Sequence, residues 1–408
     1  MNWRMMQFKR HNDTQTSSQT RYLLQCSALL NAASVIVLIC SLTFILSGCT
    51  SPINPFNTPS KSGNGVVPTF TPNASTTKIV SSTPTPKPVT ITLQIASNCP
   101  STINWDSLVG THANVNKVQK VTCDALEGSG TLQALINVRY YSPDAKLDFY
   151  VYNLYGTPTQ VFNVQGLLMG DAQISPAHTI ITAEIAPNGL TTAVPDLFKE
   201  YQWSGGSFVQ VMFPGIFPDM TYYQAEQDQA AVNAGRDTWK TSGFPVLDSL
   251  ALRLCHWPKT SDKTLTYDSR HAIYIVQVSN LGPGGGGFVA QMFRLDNVVT
   301  NIFEVMKVTP LDGTTSLNLP TPGATITSPV NVSGSTSAST NVLARVVVYD
   351  DSNFAIGDSG ALHSPLATVR FQPNAHGTQD GVIALFTTTQ NNIDLSNQVV
   401  MIKVLLSY

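Results

Sequence analysis

The sequence predicts a mainly β protein, and three observations carry that reading. Thr, Ser, Asn, Val and Ile dominate away from the termini, with 27 Gly and 25 Pro as punctuation. Apolar residues recur at every second position in short runs separated by turn pairs, the period of a half-buried strand. Only 12% of residues are charged, about half the roughly 25% usual in globular domains. A chain of 408 residues has room for about two or three domains. The order read along it is a leader (1–48), a Pro/Thr/Ser-rich linker (49–88), an antiparallel β domain (89–215), an α+β segment (216–312) and a closing β-sandwich (316–408).

The leader comes first. Arg4, Lys9, Arg10 and Arg21 stand against the single acid Asp13, and an apolar run from Tyr22 to Leu46 follows. A basic head, an apolar middle and small residues before a cut form a secretory signal. The run closes with Leu46-Ser47-Gly48-Cys49, which resembles the lipobox of bacterial lipoproteins. The resemblance implies cleavage before Cys49, a diacylglyceryl group on its thiol, and anchoring at the outer face of the cell membrane. Each buried methylene would contribute about 0.8 kcal/mol to that anchor. The alternative is an uncleaved spanning helix, for which about 20 apolar residues suffice. The position of Cys49 at the end of the run, with the linker starting at once, favours the lipoprotein. The linker lacks the apolar content to offset chain entropy and reads as disordered. If extended, it would reach on the order of 100 Å.

Within 89–215 the strand-like runs are 89–95, 132–141, 147–154, 159–167, 179–185 and 200–203, with Ser204-Gly205-Gly206-Ser207 turning the last into 208–213. Cys99 and Cys123 fall in this exported domain and are most simply a disulfide. After Pro218-Asp219 the period changes. A helix is expected over 220–240, with Thr221 and Gln224 at capping-box spacing, and a second over 245–255 with Leu247, Leu250, Ala251 and Leu254 on one face. Three strands follow, 272–281, 288–295 and 301–309, the first two joined by a glycine-rich hairpin tip.

Residues 316–408 read as about seven short strands with regular turns, the pattern of an immunoglobulin-type sandwich. The opening Pro322-Gly323-Ala324-Thr325-Ile326-Thr327-Ser328-Pro329-Val330-Asn331-Val332-Ser333-Gly334 resembles the immunoglobulin-like domain of bacterial spore-germination lipoproteins. The resemblance departs at Ser335-Thr336-Ser337-Ala338 and implies an accessory binding or spacer module with no catalytic residues.

A net charge of −2 without a basic run excludes a phosphate-tracking surface, so nucleic acid is not an expected partner. Gly357-Asp358-Ser359-Gly360 matches a serine-protease tetrapeptide, but its strand context reads as a polar turn. The His and Cys spacings give no metal site, Cys255 reads as a buried single thiol, and no cofactor is expected. One candidate cleft remains: Glu226 and Asp228 with Tyr222, Tyr223 and Trp239, residues able to line a glycan site. The expectation is a non-enzymatic envelope lipoprotein that presents β-rich modules to wall polymers or envelope proteins. Its rivals are a glycan-active hydrolase using acids of the middle region and a structural part of an envelope complex.

Overall fold

The computed structural model describes residues 91–407 apart from 187–193, 271, 312, 337–341 and 374–377. The leader, Leu46, Ser47, Gly48, Cys49 and the linker lie outside the described residues. The protein is mainly β, and among the described residues the strands fall into four sheets. Among them, too, no helix is long and apolar enough to cross a membrane.

The first sheet holds β1 (Gln94–Ile95), β2 (Asn116–Asp124), β3 (Gln133–Tyr140), β4 (Leu147–Asn153) and β5 (Thr159–Leu167) in chain order, with helix α1 (Trp105–Val109) between β1 and β2. The second holds β6 (Asp171–Ile174), β7 (Ile180–Glu184), β8 (Leu197–Ser204) and β9 (Ser207–Val211). β3 explains how they stack. Its Ala134, Ile136 and Val138 join Trp105 of α1 and Cys123 in one core, while Leu135, between them, joins Phe149, Ile180 and Phe208 in another. Period-2 alternation therefore feeds two cores, and the strand is buried on both faces. The Cys99–Cys123 disulfide forms as expected and ties the β1–α1 turn to β2.

Helix α2 (Tyr222–Asn233) starts at the expected capping box, with Gln224 N donating to Thr221 Oγ1. It is shorter than the expected 220–240. Gly235 adopts φ 79°, and a separate 3-10 turn, Thr238–Thr241, follows, so Trp239 and Lys240 leave the helix axis. Helix α3 (Gly243–Arg253) has Pro245 in its first turn and buries Val246, Leu247, Leu250 and Ala251. That apolar stripe lies on β11 (Ile273–Asn280), β12 (Gly287–Arg294) and β13 (Phe303–Pro310). Ahead of them comes β10 (Thr260–Asp268), an edge strand whose polar, exposed residues carried no strand signal.

The last strands are β14 (Thr315–Leu319), β15 (Thr325–Thr327), β16 (Val330–Thr336), β17 (Leu343–Asp350), β18 (Ala355–Asp358), β19 (Leu366–Val369), β20 (Thr378–Thr388) and β21 (Gln398–Ser407). β14, β16 and β19 make a small sheet. The others join the preceding strands in one sheet ordered β10-β11-β12-β13-β21-β20-β17-β18, with β15 beside β21 and the seam at Val308 opposite Met401. The 216–312 and 316–408 regions therefore share a sheet. β20 again alternates between two cores: Ile383 and Leu385 face the small sheet, whereas Val382, Ala384 and Phe386 face α3. The glycine tip before β12 is a close contact. Gly287 N donates to Asn397 O at 2.9 Å, and a Cβ on Gly286 would collide with the same backbone.

Candidate functional site

The site forms where three parts of the chain meet: the 214–220 segment with α2, the 3-10 turn with the end of α3, and the β17–β18 turn. Phe217 bridges to Val305 of β13, which brings Asp219 against Glu304. Asp219 N donates to Glu304 Oε2 at 3.2 Å, and the two carboxyls face each other. Glu304 is fully buried, and both burial and the Asp219 charge push its carboxyl well above the usual range, which favours its protonated form. Burial raises Asp219 too, opposed by Lys240. Lys240 Nζ lies 3.7 Å from Asp219 Oδ2 and forms an ion pair with Asp228. The result is a line of neighbouring groups: Glu304, Asp219, Lys240 and Asp228.

Asp219 and Gln224 line two adjoining cavities. One, of about 380 Å³, is walled by Val194, Pro195, Phe198, Tyr223, Gln227 and Asp228. The other, of about 370 Å³, is walled by Asp237, Trp239, Lys240, Arg253, Ser352 and Asn353. Arg253 and Asn353 also line a third, of about 240 Å³, with an apolar floor of Leu254, Val347 and Phe386 and with His256, Arg345 and Phe354 around it. Shared walls make the three one groove. Its far side is pinned: Gln224 Nε2 donates to Asp351 O at 2.7 Å, and Asn353 Nδ2 donates to Pro218 O at 2.9 Å.

No family model, curated protein or solved structure matches this chain. The site must therefore be read from its own chemistry. Of the five residues expected to form a cleft, Tyr223, Asp228 and Trp239 line the groove. Tyr222 and Glu226 turn to the other side of α2, where Tyr222 Oη donates to Asp296 and burial next to Asp296 raises Glu226 to about 7. The helical period separates these neighbours in sequence onto opposite faces. Of Asp219 and Thr221, either able to cap α2 by sequence, Thr221 is the cap, which leaves Asp219 for the groove; Lys240, Arg253, Glu304 and Asn353 carry no sequence signal for the site. The acid after Pro218 was the one available signal, since contacts such as the Asp219–Glu304 pair join residues far apart in the chain.

Glu304 stands behind Asp219, so a single carboxylate of this pair reaches the groove. Among the described residues no group of three or more His, Cys, Asp or Glu is placed to hold a metal ion. Cys255 is a buried free thiol whose pKa burial drives up, leaving it a poor nucleophile. Ser359 is occupied within its own turn, accepting from Val346 N at 2.9 Å and donating to Gly360 O at 2.8 Å.

Proposed function

We propose that this protein is a lipid-anchored envelope protein, held through Cys49 at the outer face of the cell membrane, that binds an extended envelope partner, wall polymer or protein, without transforming it. The observation that carries this reading is the groove: three cavities joined in series, the first to the second through Asp219 and Gln224 and the second to the third through Arg253 and Asn353. Three connected cavities suit a chain better than a small metabolite, which is usually enclosed in a single pocket. The immunoglobulin-like reading of 316–408 makes that region an accessory module, and here its β17–β18 turn supplies one wall of the groove. The hydrolase alternative has less support, because Glu226 lies across α2 from the groove and Asp228 is engaged by Lys240.

The test has two arms. Cells expressing the full chain should incorporate labelled fatty acid into it, and Cys49→Ala should abolish the label and release the protein. The full chain, purified in detergent, should co-sediment with insoluble cell wall or cross-link to a fixed envelope protein. Failure of both binding assays would sink the binding reading, whatever the anchor result.

A further inference from the structure

Two acceptors of the groove wall have no hydrogen bond among the described residues. Asp219 Oδ2 is buried with no hydrogen bond, since Lys240 at 3.7 Å supplies charge but no bond, and the residue is only 7% exposed. Asn353 Oδ1 is likewise buried and unpaired, its amide nitrogen being used on Pro218 O. Asp219 lies between the first and middle cavities and Asn353 between the middle and third. Burying an acceptor without a hydrogen bond is costly, and both costs fall on the groove wall. A ligand that donates hydrogen bonds at those two places would recover them.

Each cavity also offers a flat apolar face. Phe198 and Tyr223 stack at 5.6 Å in the first. Trp239 stands in the second. Phe354, 68% exposed, stands in the third. Aromatic faces alternating with acceptors match a chain of rings whose faces are apolar and whose rims carry hydroxyls. The charges along the groove are largely spent on one another. Lys240 is held by Asp219 and Asp228, and Arg345 by Asp358 and Asp394. Among the described residues that leaves Arg253 and Asp237, one of each sign, so these give no field to draw in a polyanion.

From this geometry we infer that the groove's ligand is an uncharged glycan chain, its rings stacked on Trp239 and the flanking aromatics and its hydroxyls donating to Asp219 and Asn353. The inference rests on the binding function proposed above and names the class of ligand.

Calorimetry on the full chain in detergent would use cellohexaose, N-acetylchitohexaose and laminarihexaose as uncharged probes, with polygalacturonate and polyglycerol phosphate as polyanions and a random peptide mixture beside them. At least one uncharged hexasaccharide should bind, with affinity nearly independent of salt between 50 and 300 mM, roughly the range over which a charge-driven contact would weaken steeply. Trp239→Ala should weaken that binding at least about tenfold. Asn353→Gly should weaken it about threefold to tenfold, and it suits the left-handed backbone there, φ 63°. Tyr155→Ala, which removes an exposed aromatic outside the groove, should change nothing. Circular dichroism would confirm that each variant is folded.

Binding unaffected by Trp239→Ala and Asn353→Gly would overturn the inference. So would wall sedimentation that persists while every uncharged probe fails and polyanion or peptide competes. In that second case the binding function stands and only its ligand is wrong. If neither wall nor any probe binds and no envelope protein cross-links, both readings fall.

Discussion

The N-terminal pair of sheets and the continuous sheet behind it bury polar groups in different ways. In the first region Asp148 of β4 sits among donors: Tyr140 Oη at 2.9 Å, Tyr150 Oη at 3.4 Å and Gly166 N at 2.7 Å. In the second, carboxyls bury beside one another. Asp219 faces Glu304, and Asp351, fully buried, has both oxygens without a hydrogen bond. Lys403 Nζ is the counterweight, donating to Gly215 O at 2.8 Å and to Met220 O and lying 3.3 Å from Asp380. In the first region that buried carboxylate is satisfied by nearby donors. The second region tolerates costly contacts where separate parts of the chain meet, and that is where the groove lies.

The largest test removes the counterweight. Lys403→Met should destabilise the second region by about 3–5 kcal/mol, since it strands Asp380 and frees two carbonyls. Urea unfolding monitored at Trp257, which packs on Phe288 in that core, would show it. A wild-type curve would mean that apolar burial alone holds the junction.

A smaller loss should fall on the other region. Replacing Cys99 and Cys123 with Ser opens a loop closed across 24 positions and should cost about 3 kcal/mol. Amide exchange should quicken first in α1 and β2. Exchange that quickens equally in β20 and β21 would show the two regions to be one cooperative unit.

The acids also make the comparison depend on pH. Burial raises Glu200 and Glu226 to about 7 and Asp262 and Asp380 to about 6. Each binds its proton more tightly when folded. Its contribution is therefore complete below the ordinary carboxylate range and is lost as pH rises through about 6 to 7. Lowering the pH from 7.5 to 5 should accordingly stabilise the protein by about 2 kcal/mol, after allowance for solvent screening of the half-buried groups. A melting temperature that falls over this interval would contradict the assignment.

The smallest effect is expected at Asp351, whose fully buried carboxyl is pushed well above its usual range. Asp351→Asn removes the need to hold a proton there and should stabilise by about 1 kcal/mol, more at pH 8 than at pH 5. A gain equal at both values would point to packing in place of ionisation.

Much of the fold was legible because its signals are local. β3, β4, β5, β7, β9 and β11 lie within about two residues of the runs read from alternation, and the Thr221–Gln224 box starts α2 as its spacing requires. β10 was not legible, because an exposed edge strand carries no apolar period. α2 was read too long because Gly235 had to be seen at φ 79° to mark its end. Tyr223, Asp228 and Trp239 were legible as groove residues by chemistry, whereas Tyr222 and Glu226 shared that chemistry but not the face.

By itself, then, the sequence determined the mainly β class, most strand positions, the pairing of Cys99 with Cys123 and the start of both longer helices. These follow from backbone geometry and from periodicities that need only a few neighbouring residues. Tertiary structure alone decided that β13 joins β21, that Lys403 is buried against Gly215 and Asp380, and that Asp219, Trp239, Arg253 and Asn353 share a wall. Such contacts depend on which apolar faces stack and in what register, a choice made by the whole core at once, and no local run of residues encodes it.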